Sequence, residues 1–397
     1  MLSLCVAIAA TPFVALSAGA FDTAGEANAD AVLGADVMGD NWTVDPTVHS
    51  DGYLLLFDIN TPSGEFQVNG KRRMSERVQE MRALHTLDLM SRTKAFADAL
   101  GRAGMAPIRF GRDLVVDPVE TVGNFVSGVG RMFQSVATTV NGNGTSRNTL
   151  FDRVSGITAA ERELAFRLQV DPYTDFTPLR NGLNDVAKAS AAGGLSVTAA
   201  ISAIPGGAGI AVYASSTGAD FTNSLGGKTS DEIFALVSQK LDKLGVDKAT
   251  VTKFAANKFY SPNDEFAIAD ALEKLDAANS ASFVSIAAAA DSFDVAKFHR
   301  YRAELLLREN ARLGTLKEFT TVTDMAINRN AAGDVVAAFP FDTLAWTDSV
   351  SRNLERLSEE VEKNGETKAR ILAITGTVTA TAQAELKMRG WTIVSLN

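Results

Sequence analysis

His85 and Asp88 are the first pair whose types and spacing could do chemistry. They lie three residues apart in a segment of helical periodicity, so the carboxylate could orient the imidazole as a general base. A histidine at the border of a packed stripe, one turn after Met81, explains the same residues without chemistry. The other two histidines, His49 and His299, complete no H-x-x-x-H or H-E-x-x-H pair, the spacing that puts two metal ligands on one helix face. His299 sits in Lys297-Phe298-His299-Arg300-Tyr301-Arg302, which reads as a solvated basic helix face. No Gly-x-Ser-x-Gly elbow and no D-x-[DN]-x-[DN]-G calcium loop occur. The expectation is therefore no metal and no cofactor.

Gly226-Gly227-Lys228-Thr229 has the end of a phosphate-binding loop, but Thr222 stands where that motif needs its first glycine. Thr229 or Ser230 as a helix cap accounts for the run. Gly207-Ala208-Gly209 is followed by Val212 where a dinucleotide fingerprint needs Gly or Ala. Two weaker anion sites remain. Gly376, Thr377 and Thr379 lie between a predicted strand and a predicted helix, where backbone N–H groups could hold an anion. Lys71, Arg72, Arg73 and Arg77, with Arg82, form the densest basic cluster, and could face an anionic membrane surface or a polyanion.

The elements that must position these residues are mostly helices. Tyr53–Phe57 and Glu65–Val68 read as a hairpin around Thr61-Pro62-Ser63-Gly64. One long helix is predicted from Met74 to Leu100, and another opens at Asp117-Pro118. Thr158 with Glu161 makes a capping box for a third, and Ser261-Pro262 opens a later one. Phe319–Ile327 and Val335–Phe341 alternate like strands. Ile371–Ile374, Thr379–Met388 and Trp391–Val394 read as strand, helix and strand, a right-handed parallel crossover. The fold class expected is mainly α. It comprises a multi-helix body with an N-terminal β-hairpin and a small C-terminal α/β domain of β-hairpin plus βαβ.

The domain reading is a signal peptide at 1–20, a flexible acidic leader at 21–51, a helical domain at 52–315 and the α/β domain at 316–397. Residues 1–20 carry no charge and end in Ala18-Gly19-Ala20, as a cleavable export signal does. A membrane anchor through residues 2–20 is the alternative. The only cysteine, Cys5, follows Leu4 in an imperfect lipoprotein box and would leave with the signal. The leader holds seven acids from Asp22 to Asp51 and no Lys or Arg, the first of which is Lys71. The net charge of −9 argues against nucleic acid as a partner.

Residues 189–219 carry no charge and are split by Pro205-Gly206-Gly207. A buried hairpin explains their small residues, and a membrane-inserting hairpin is the rival. The function expected is that of an exported bacterial envelope protein, periplasmic or secreted, acting as a non-enzymatic binding or scaffold protein. Its partner would be another envelope protein or an anionic membrane surface. A membrane-active protein using 189–219, and a hydrolase with a dispersed site, are the alternatives. Two runs fit none of these roles: Gly390-Trp391 and Asp171-Pro172-Tyr173-Thr174.

Overall fold

A computed structural model describes residues 21–62, 64–104, 127–134, 157–202, 225, 227–365 and 368–396. It is 54% helical and 19% strand, too much strand for the mainly α class expected from the sequence. The protein is α+β, with helices packed against an N-terminal antiparallel sheet and a C-terminal mixed sheet.

The first sheet contains β1 (Glu26–Asn28), β2 (Met38–Gly39), β3 (Trp42–Val44), β4 (Thr47–Ser50), β5 (Leu55–Thr61) and β6 (Gly64–Asn69). One edge of β5 pairs β4 at its start and β3 at its end, and the other edge pairs β6. The expected hairpin is only β5 and β6. The other four strands, with α1 (Ala29–Leu33), come from the segment read as an acidic leader. Its apolar residues are few but spaced by two, as in buried Trp42 and Val44. Its acids serve backbone turns: the Asp51 carboxylate accepts from the N–H groups of Tyr53 (2.9 Å) and Leu54 (2.8 Å). Counting those acids as solvated charge hid the strands.

The expected long helix is two, α2 (Lys71–Ser91) and α3 (Lys94–Ala103). Thr93 ends one and caps the other, its hydroxyl accepting from the Phe96 N–H at 3.2 Å. After α4 (Gly128–Gln134), α5 (Ala159–Leu168) opens on the Thr158–Glu161 capping box. Then come α6 (Thr177–Gly193) and α7 (Val197–Ser202). Gly193 lets α6 approach α3 closely, since a Cβ there would lie 2.5 Å from the Ala99 carbonyl oxygen. This contact gives the start of the uncharged stretch a packing role. Residues 203–219 and the Asp117-Pro118 opening lie outside the described residues. Among the described residues no helix is long and apolar enough to cross a membrane.

Next come α8 (Ser230–Lys243), α9 (Lys248–Ala255), α10 (Pro262–Leu275), α11 (Ser280–Ala287) and α12 (Phe293–Arg308). Thr229 caps α8 through a capping box with Glu232. Helix α12 corrects a second expectation. Lys297, His299, Arg300 and Arg302 are buried, not solvated, because α12 is enclosed by α2, α4, α10 and the C-terminal sheet.

That sheet runs β13-β11-β9-β8-β7, from β7 (Leu316–Val322), β8 (Met325–Asn330), β9 (Val335–Phe339), β11 (Arg370–Ile374) and β13 (Trp391–Ser395). Strands β9, β11 and β13 are parallel, connected by α13 (Asp348–Lys363) and α14 (Ala380–Met388). Short β10 (Thr343–Leu344) and β12 (Thr377–Val378) pair beyond their carboxyl ends. The β8–β9 ladder opens past Asn328 and Val336. There the Arg302 guanidinium donates to the Ala338 carbonyl at 2.9 Å and to the Ala326 carbonyl, which continued pairing would have set opposite each other.

Candidate functional site

Helical spacing sets the site. On α2, Arg73, Glu76, Arg77 and Glu80 recur at three and four residues and share one face. On α12, Lys297, Arg300, Tyr301 and Glu304 do the same. The two charged faces meet. Arg72 pairs with Glu304, Arg300 lies 3.5 Å from Glu76, and the Tyr301 hydroxyl donates to Glu76 at 2.7 Å.

Two further elements close the cluster. The segment before α6 supplies Asp175, which pairs with Arg73 and with Arg77 (3.2 Å), and Thr174, whose hydroxyl donates to Glu80. The start of α10 supplies Asp264, which accepts from Lys297 at 2.7 Å and Arg300 at 3.0 Å. Asp171 accepts from the Ser261 hydroxyl and the Asn263 amide, both at 2.7 Å. The two acids thus have different environments. Burial alone would raise Asp264, but Lys297 and Arg300 outweigh it and hold the carboxyl below its ordinary range. Asp171 has neutral donors, and burial pushes it up to about 6, with Lys297 lowering it and Asp264 raising it. Burial is likewise outweighed at Glu76, by Arg300, Lys297 and Arg73, and at Asp175, by Arg73 and Arg77.

A cleft of about 340 Å³ opens onto this cluster. Its inner wall includes Asp171, Asn263, Glu80 and Lys297, and its outer part Arg162, Phe166 and Lys228. Tyr173, Leu225 and Ile233 give it an apolar side. Arg162 is held by carbonyls, donating to Ile157 at 2.7 Å and Gly227 at 3.3 Å. Among the described residues Lys228 has no ion pair. None of the three histidines lines the cleft.

The residues singled out from sequence lie elsewhere or play other parts. His85 Nε2 is 3.2 Å from Asp40 Oδ2, and its Nδ1 is 3.2 Å from the Asn41 amide. Asp88 is committed to Arg92 at 2.5 Å, so the two do not form the expected pair. Of the basic cluster, Arg73 and Arg77 are turned inward, Arg72 also stacks on Tyr301 at 4.6 Å, and Lys71 is exposed. Thr379 caps α14 and donates to Asp22 at 2.5 Å. Asp22 also accepts from the Trp346 N–H at 2.7 Å, so the carboxylate beside this helix start is the chain's own. Gly376 and Thr377 line a second cavity of about 770 Å³ together with Lys71 and Arg72. Thr377 N–H is bonded to the Asp342 carbonyl at 3.2 Å.

Sequence reasoning missed Glu76, Glu80, Asp175, Asp264, Lys297 and Arg300. The signal was present as charge at helical spacing on α2 and α12, but reading each run alone gave solvated faces. The Asp171-Pro172-Tyr173-Thr174 run, left without a role, borders the cleft. Among the described residues no group of three or more His, Cys, Asp or Glu could hold a metal. Compared with family models, curated proteins and solved structures, the chain matches none.

Proposed function

We propose that this is an exported, non-enzymatic binding protein that holds a small polar ligand in the cleft between α2, α5 and the start of α10. The cleft carries the reading: its charged inner wall is already fixed by ion pairs, so binding requires little ordering of side chains. Arg162 and Lys228 in its outer part make no close ion pair among the described residues, Glu232 acting on both only through space, and so are suited to an incoming anion. Export is supported by the uncharged first twenty residues.

The test is thermal unfolding of the purified chain against a panel of small polar metabolites. A ligand should raise the midpoint in wild type and much less in Arg162→Ala and Lys228→Ala, each shift being taken from the variant's own ligand-free midpoint. A panel without any stabilising member, or shifts unaffected by both variants, contradicts the cleft as the site. Export is checked by intact mass of the native protein, which should begin near Phe21. An intact Met1 contradicts cleavage.

A further inference from the structure

Setting aside the groups already committed to one another shows what the cleft has left to offer. Arg73, Lys297 and Arg300 are each taken by carboxylates of the cluster. The inner wall is left with hydrogen-bond acceptors. Asn263 is 8% exposed, and its Oδ1 has no partner among the described residues. Its amide orientation is fixed, because its NH2 donates to Asp171 at 2.7 Å and a flip would set two oxygens together. Asp171 is bonded only to neutral donors, and the Tyr173 hydroxyl makes no hydrogen bond among the described residues. The outer part is left with cations, Arg162 and Lys228. Between them runs an apolar side of Leu225, Ile233 and the Tyr173 ring, with Phe166 exposed at the edge.

Resting on the reading of the cleft as a ligand site, we propose that its ligand is an amino-acid-type zwitterion with an apolar side chain. The carboxylate faces Arg162 and Lys228, and the ammonium faces Asp171 and Asn263 Oδ1. An ammonium supplies the donors that a buried orphan acceptor lacks, and leaving that acceptor unmet is costly. A carboxylate at the guanidinium and ammonium gains charge-assisted hydrogen bonds. The cleft's roughly 340 Å³ is near the small end of ligand sites, which suits one such molecule better than a large cofactor.

Calorimetric titration of the full chain decides this, using phenylalanine, leucine, phenethylamine, phenylpropionate and inorganic phosphate as probes. The amino acids should bind, and the amine and the acid should each bind about tenfold or more weakly, the scale of one lost charged hydrogen bond. Lys228→Ala should weaken phenylalanine and phenylpropionate but leave phenethylamine unchanged. If phenylpropionate, phosphate or phenethylamine binds as tightly as phenylalanine, the zwitterion is overturned and the ligand cleft stands. If no probe binds, the zwitterion is again overturned. The cleft reading then falls too only if the metabolite panel also gives no shift.

Discussion

Arg302 is fully buried with no carboxylate partner among the described residues, its guanidinium 4.8 Å from the Phe339 ring and 5.7 Å from that of Phe283. Burial pushes its pKa down to about 9, so it still carries its charge at neutral pH. What it returns is backbone satisfaction, because it serves two strand carbonyls that have lost their ladder partners. Arg302→Ala should lower unfolding stability by about 3 kcal/mol in urea titration, from two orphaned carbonyls and a cavity. A loss below about 1 kcal/mol would show that those carbonyls find other donors. Asp171 gives a pH prediction. Its folded pKa lies near 6 against an ordinary 3.8, so its contribution is full below 3.8 and is lost as pH rises through 6. Wild type should therefore lose stability relative to Asp171→Asn between about pH 4 and pH 6 and change little beyond it. Glu76 and Asp175 work in the opposite sense, being held low, and their contributions are lost as pH falls through the acid range. None of this was legible at residue scale. A lone Arg302 or Asp171 reads as surface charge until the helix or loop that buries it is placed.

Elements were more legible, because their signals are local. The Thr158–Glu161 box, Thr229 before α8 and Ser261-Pro262 before α10 all start helices where the sequence puts them. Failures came where a local signal had two readings. Thr93 looked like helix interior and is a cap. Strands β1 to β4 are two to four residues long, too short for alternation to stand out from their turns. Gly376, sought as an anion-loop residue, has a packing reason instead. A Cβ there would lie 1.8 Å from the Asp342 carbonyl oxygen, and backbone cannot swing away as a side chain can. Gly376→Ala should push the loops after β9 and β11 apart and cost about 3 kcal/mol or more in chemical denaturation. A cost within about 1 kcal/mol would mean that the two loops can separate freely.

At the scale of the whole molecule, the N-terminal sheet region is tied to the loops of the C-terminal sheet. Asp22 binds the Trp346 N–H and Thr379, while Asp342 accepts from the N–H groups of Leu55 (3.0 Å) and Lys71 (2.8 Å). The segment read as a leader is therefore structural. Deleting residues 21–51 should abolish cooperative unfolding and expose the remainder to limited proteolysis. A truncated chain that melts as sharply as the full one would restore it to a tail. Helix α2 is held against α12 by the Arg72–Glu304, Arg300–Glu76 and Tyr301–Glu76 contacts, and that packing builds the cleft wall. The measurement that bears most directly on the cleft is titration of phenylalanine into the full chain, with Lys228→Ala alongside. Saturable binding to wild type, about tenfold weaker in the variant, is the result expected for a ligand held at this rim. Binding of equal strength to both proteins would place the ligand elsewhere and contradict the account.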